Sequence, residues 1–218
     1  ANILLEQQHY EKAINLFKQA VAKLPDNSSL LENLGIALNR SGYYQEAKET
    51  LRKAHQINPN NASILNNLGV ALLSSRQLSD AITVFNQAIG LNPHDTSTKI
   101  NLVNAYTENC DYLKAIETAF KLFLEDSCFC AQFTAPNNID IEQFTSALAN
   151  YSPAPERASY LPDLLCNLST CLNESLFIEA AIHCLCKAKE IDPNHRKANS
   201  SYLFLCNNRD ETSPGEIY

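Results

Sequence analysis

The residues best placed to do chemistry in this chain are carboxamides, because they recur at a fixed interval. Asn33, Asn67 and Asn101 are 34 residues apart, Asn167 holds the matching place in a later segment, and each is followed by leucine. A carboxamide offers both a donor and an acceptor, so it can pair with the N–H and C=O of an extended peptide whatever that peptide's side chains. One such hydrogen bond nets only about 0.5–1.5 kcal/mol, so useful affinity needs a row of them. The plain alternative is that each amide satisfies local backbone groups or water. Either way, the chemistry predicted is recognition.

Bond-making chemistry has no comparable seat. The chain has no Gly-rich phosphate loop, no Gly-x-Ser-x-Gly and no His-Glu-x-x-His, and its five histidines are scattered. Paired acids such as Glu46 and Glu49 read as solvated helix faces. His183, Cys184 and Cys186 invite a metal reading, but on a helix His183 and Cys186 share a face while Cys184 points elsewhere. Structural zinc wants four ligands, and the eight cysteines do not fall into two spaced pairs. Cys171 and Cys110 read as small packing residues, Cys110 in a turn between helices. Cys128 and Cys130, flanking Phe129, give only a weak redox or disulfide signal. No catalytic residue, metal or cofactor is predicted, and the chain is read as not an enzyme.

What must position the asparagines is a repeated helical hairpin. Pro25, Pro59 and Pro93 are spaced by 34 residues, as are Ala13, Ala47, Ala81 and Ala115, with Ala20, Ala54 and Ala88 seven residues after the first three of them. Two small residues seven apart lie on one helical face and let a neighbouring helix approach. Upstream, Leu31, Leu34, Gly35 and Leu38, then Leu65, Leu68, Gly69 and Leu72, form one stripe of a 3.6-residue helix. Asn61 and Asp95 are suitable N-caps, and the proline two residues earlier stops the preceding helix.

In these residues the chain resembles the tetratricopeptide-repeat (TPR) family, whose pattern is a large residue, Leu-Gly and an aromatic on the first helix, then Ala, Phe, Ala and Pro on the second. Residues 28–61 and 62–95 match closely, with leucine at both the large and the aromatic position. Residues 96–129 match at Leu102, Tyr106 and Ala115 but carry Val103, Ala119 and Ser127 where Gly, Phe and Pro are usual. Residues 1–27 supply mainly a second helix, so the chain reads as starting inside a repeat and as a piece of a longer protein. The array is thus 1–129, and the pattern returns at 162–195 with Leu165, Leu168, Leu172, Ala181, Ala188 and Pro193. Residues 130–161 are a degenerate repeat or an insertion, the first slightly favoured by length, with an amphipathic helix around 138–150. A capping helix over 196–207 and a mobile tail over 208–218 complete the expectation.

The resemblance implies an all-α fold, an α-α superhelix of antiparallel hairpins, whose first helices line a concave face that receives a peptide or partner segment. The asparagine row is similar to the ladder in the repeat domain of O-linked N-acetylglucosamine transferase. Other groove positions include Asn39, Arg40, Asn66 and Asn104, giving a mostly neutral amide-and-hydroxyl surface. Glu32 and Ile36 stand where the carboxylate-clamp repeats of heat-shock co-chaperones place Lys and Asn, which disfavours a clamp. The formal charge of −7 argues against nucleic acid and anionic membrane surfaces, and no apolar run is long enough to span a bilayer. Free thiols point to the cytoplasm, while Asn-x-Ser sequons such as those at Asn27, Asn61, Asn167, Asn173 and Asn199 leave a secretory history open. Three functions are weighed: a scaffold binding a protein or extended peptide, the substrate-recruiting or regulatory region of a larger enzyme such as a glycosyltransferase, and a self-associating structural array.

Overall fold

The computed structural model describes residues 2–125, 129 and 140–211. All the regular structure among them is helical, in the order α1 (Asn2–Lys23), α2 (Ser28–Arg40), α3 (Tyr44–Ile57), α4 (Ala62–Ser74), α5 (Leu78–Leu91), α6 (Thr96–Glu108), α7 (Tyr112–Leu124), α8 (Ile141–Asn150), α9 (Pro155–Ala158), α10 (Leu161–Glu174), α11 (Ile178–Ile191) and α12 (Arg196–Glu211). The helices fall into two compact units, Ala1–Asn109 and Cys110–Tyr218. Cys128 and Cys130 lie outside the described residues, as do residues 212–218. The last helix, expected over 196–207, runs to Glu211.

The helix starts follow from side-chain capping. The Asn27 carbonyl accepts from the Leu30 N–H at 3.0 Å, Asn61 from Ser63 at 2.9 Å and Ile64 at 3.3 Å, and Asp95 from Ser97 at 3.1 Å. Each satisfies donors that the first turn cannot pair internally. Pro25, Pro59, Pro93 and Pro193 each follow the last residue of a second helix by two positions, where a proline cannot continue the helix. The turn inside each hairpin needs a left-handed residue. Gly42 provides it at φ 85°, whereas Arg76 (62°), Cys110 (61°) and Leu176 (66°) adopt the same region against the steric preference of a side chain.

In the first unit α2 pairs with α3, α4 with α5, and α1 packs on α2. The repeated alanines Ala47, Ala81, Ala54 and Ala88 are buried at the crossings, with Leu34, Leu38, Leu51, Leu68, Leu72 and Phe85 between them. Gly35 and Gly69 are required by close approach: a Cβ on Gly35 would sit 2.5 Å from Leu51 Cγ, and one on Gly69 2.5 Å from Phe85 Cε1.

The second unit departs from this plan. α10 pairs with α11 and α11 packs on α12, and α7 packs directly on α10 as α3 does on α4. The helix expected around 138–150 begins only at Ile141, capped by Asp140, whose carboxylate accepts from the Gln143 N–H at 2.7 Å. It packs on α11, a second helix of a hairpin. An aromatic cluster holds it: Phe144 stacks on Phe120 at 4.1 Å and meets Phe123 edge-on at 5.3 Å, with Phe129 and Tyr151 closing around Phe123. Such pairs contribute about 0.5–1.5 kcal/mol each beyond the area they bury.

Candidate functional site

The first helices α2, α4 and α6 carry Asn33, Asn67 and Asn101 on one face of the first unit, and successive first helices touch. The sequence places the amides in register; the structure shows where one of their donors goes. Asn67 Nδ2 donates to Glu32 Oε1 at 2.8 Å, and Asn101 Nδ2 donates to Asn66 Oδ1 at 2.9 Å. Both bonds run 35 residues back, to the residue just before the preceding ladder position. Ser63 Oγ donates to the same Glu32 oxygen, so one carboxylate ties two side chains of the next hairpin. Asn33 is exposed and has no equivalent bond among the described residues.

These lateral bonds fix the amide orientation. With one Nδ2 hydrogen spent on the neighbouring hairpin, Asn67 and Asn101 retain a second N–H and the carbonyl Oδ1. That remainder is the donor and acceptor a peptide bond would need. Asn67 and Asn101 are thus ladder amides held by one lateral bond each.

The other predicted positions divide. Asn66 is the acceptor for Asn101, and Asn104 is hydrogen-bonded or otherwise engaged. Arg40 is tied back to α1: Nη1 donates to Tyr10 Oη at 3.1 Å, and the guanidinium lies 5.9 Å from that ring's centroid. Asn39 Oδ1 is buried and has no hydrogen-bond partner among the described residues. In the second unit, Asn167 Oδ1 accepts from Lys197 Nζ at 2.6 Å, so its carbonyl is already held by a cation.

Sequence reasoning missed one constellation, Asp163, Cys166 and His195. His195 Nε2 lies 3.2 Å from Asp163 Oδ1, and Nδ1 lies 3.8 Å from Cys166 Sγ. An acid, an imidazole and a thiol in line have the composition of a nucleophilic triad. Two facts oppose that use. Nδ1 accepts from the Ala198 N–H at 3.2 Å, which places the ring proton on Nε2 and makes His195 the cap of α12. Burial pushes the Cys166 thiol up to about 11, the reverse of an activated cysteine. The signal for this cluster was positional: His195 stands where Asn61 and Asp95 cap the earlier first helices. Cys184 is buried and its thiol is raised by desolvation, while His183 and Cys186 are exposed. No group of three or more metal-binding side chains converges among the described residues.

The family model for the N-terminal TPR repeats region of Psidin matches residues 3–127. The chain belongs to this TPR-repeat family. Solved TPR structures share the fold. YrrB, described as a TPR protein with an unusual peptide-binding site, is 20% identical, with 92% of this chain and 87% of YrrB covered at a TM-score of 0.61. MamA from Desulfovibrio magneticus RS-1 is 18% identical, with 84% and 86% covered at 0.61. A Thermobaculum terrenum O-GlcNAc transferase is 25% identical, with 56% of this chain and 26% of that one covered at 0.50. No curated protein matches the chain. No described helix is long and apolar enough to cross a membrane.

Proposed function

We propose that this TPR protein is an interaction scaffold that clasps an extended peptide or partner segment through the backbone, using the amides of Asn33, Asn67 and Asn101 on the first-helix face. The observation that carries the reading is the pair of lateral bonds from Asn67 and Asn101. They orient each amide in advance and still leave it a donor and an acceptor. Preorganised groups lose less conformational entropy on binding than free ones. The likeness to YrrB, a TPR protein with a peptide-binding site, agrees with this use.

The test separates backbone from side-chain recognition. A peptide selected by phage display against the full chain is resynthesised in two series, one with single N-methylated peptide bonds and one with single side-chain swaps. N-methylation at the clasped bonds should weaken binding several-fold while most swaps do not. The reverse ranking, or no selectable peptide, refutes the clasp. A second reading, a substrate-recruiting region of a larger enzyme, draws on the likeness to the O-GlcNAc transferase. The full reading frame around these 218 residues decides it.

A further inference from the structure

The first-helix face of the second unit holds a formed cavity. It has a volume of about 440 Å³, between α10 and α12, within the usual range for ligand sites. Its walls mix hydroxyls and one amide with apolar surface: Asn173 and Glu174 come from α10, and Ser200, Ser201, Phe204 and Leu205 from α12. Glu174 is the only charged side chain among the described residues of the lining. It is exposed, and among the described residues no cation pairs with it: Lys197 is bonded to Asn167, and Lys189 sits 4.1 Å over the Tyr202 ring. Phe204 leaves 62% of its surface open to solvent.

We propose that this cavity receives an arginine side chain of a partner segment docked on the second unit, a charge preference that a backbone clasp cannot supply. An unpaired carboxylate can take a guanidinium through two parallel hydrogen bonds. The open Phe204 ring offers a face on which the same planar group stacks. Asn173 Oδ1 and the serine hydroxyls are acceptors for the guanidinium's remaining N–H groups. An acidic segment would meet Glu174 and the chain's net charge of −7, and a purely apolar one would desolvate the amide and hydroxyls without replacing their bonds. Charge and acceptor content therefore select a basic occupant.

This inference rests on the scaffold reading and narrows its partner to a segment carrying arginine. The test titrates nitrogen-15-labelled full chain with acetylated, amidated Gly/Ser/Ala dodecapeptides bearing a central Arg, Lys, Ala or Glu, read by amide chemical shifts. The Arg peptide should bind about ten-fold tighter than the Ala peptide, the equivalent of one charge-assisted contact, with shifts centred on Asn173, Glu174 and Ser201. Glu174→Gln and Phe204→Ala, both at exposed positions, should each remove most of that preference while the spectrum stays folded. Binding without an Arg preference, or a preference that survives both substitutions, overturns the arginine pocket and leaves the scaffold reading standing. No binding by any peptide overturns both. A concentration-dependent dimer abolished by Glu174→Gln makes the occupant a second copy of this chain and overturns the peptide version.

Discussion

Asn33→Ala compared with Asn67→Ala and Asn101→Ala separates holding the fold from holding a ligand. In all three, alanine gains roughly 0.6 kcal/mol of helix propensity. Asn33 is exposed with no lateral bond among the described residues to offset that gain. Asn67 and Asn101 each lose one inter-hairpin hydrogen bond, and each loss costs about 0.5–1.5 kcal/mol. The cost at Asn67 falls at the low end, because Glu32 keeps its bond from Ser63, whereas Asn66 loses the donor that Asn101 supplies. At about 2–4 °C per kcal/mol for a chain of this size, Asn101→Ala should melt about 1–6 °C below Asn33→Ala. Affinity for the selected peptide should fall by about 2–10-fold in every one of the three, since each removes one clasping amide. Differential scanning fluorimetry and fluorescence anisotropy measure the two quantities on the same samples. If Asn33→Ala leaves affinity unchanged while Asn101→Ala lowers it, affinity follows stability and the clasp is wrong.

Three other outcomes follow from the geometry. Gly69→Ala should destabilise by about 1–2 kcal/mol in urea melts, because overpacking against Phe85 outweighs the propensity gain, whereas Gly90→Ala, with open space around its new methyl, should be neutral or stabilising. Leu176→Gly should stabilise by about 0.5–1 kcal/mol, because the left-handed residue is 85% exposed and has little packing to lose. The Cys166 thiol is raised in the folded state, so its contribution is fully present below the unfolded thiol value near 8.5 and is lost as pH rises toward 11. Urea midpoints should therefore fall between pH 8.5 and pH 11, and Cys166→Ala should flatten part of that decline.

The hairpins were legible because the same solution is written several times. Leu34, Leu38, Ala47 and Ala54 are buried like their counterparts Leu68, Leu72, Ala81 and Ala88, and Asn61 and Asp95 cap where the proline spacing put them. Within a repeat, the sequence neighbours and the spatial neighbours are the same residues. That advantage ends where copies diverge. The seating of α8 depends on Phe120, Phe123, Phe129, Phe144 and Tyr151 meeting across a span with no second copy to compare, so only its amphipathic pattern could be read. The direct packing of α7 on α10 was likewise invisible, because residues 130–161 have nearly the length of one repeat and length alone slightly favours a degenerate repeat over an insertion. The cavity beside Glu174 was missed for a third reason. An unpaired carboxylate is defined by what fails to reach it, and that is a property of three dimensions.

The lateral bonds also explain a difference between the first two groove positions that composition leaves unaccounted for. Glu32 and Asn66 occupy equivalent places, and each accepts from the ladder amide of the next hairpin. Only Glu32 also takes a serine hydroxyl, from Ser63, although Ser97 stands at the matching place 34 residues on. Both donors meet one Glu32 oxygen, and an ionised oxygen holds two donors more strongly than the neutral carbonyl of Asn66, whose NH2 cannot accept a hydroxyl proton. Asn66→Glu should therefore capture both Ser97 and Asn101 and stabilise the α4–α6 contact by about 0.5–1.5 kcal/mol, less whatever the added negative charge costs in a chain already at −7. Slower amide hydrogen exchange confined to α6, with a higher melting point at moderate salt, is the expected result. A lower melting point at high salt, where repulsion is screened, would show that the carboxylate does not serve as the bridge between hairpins.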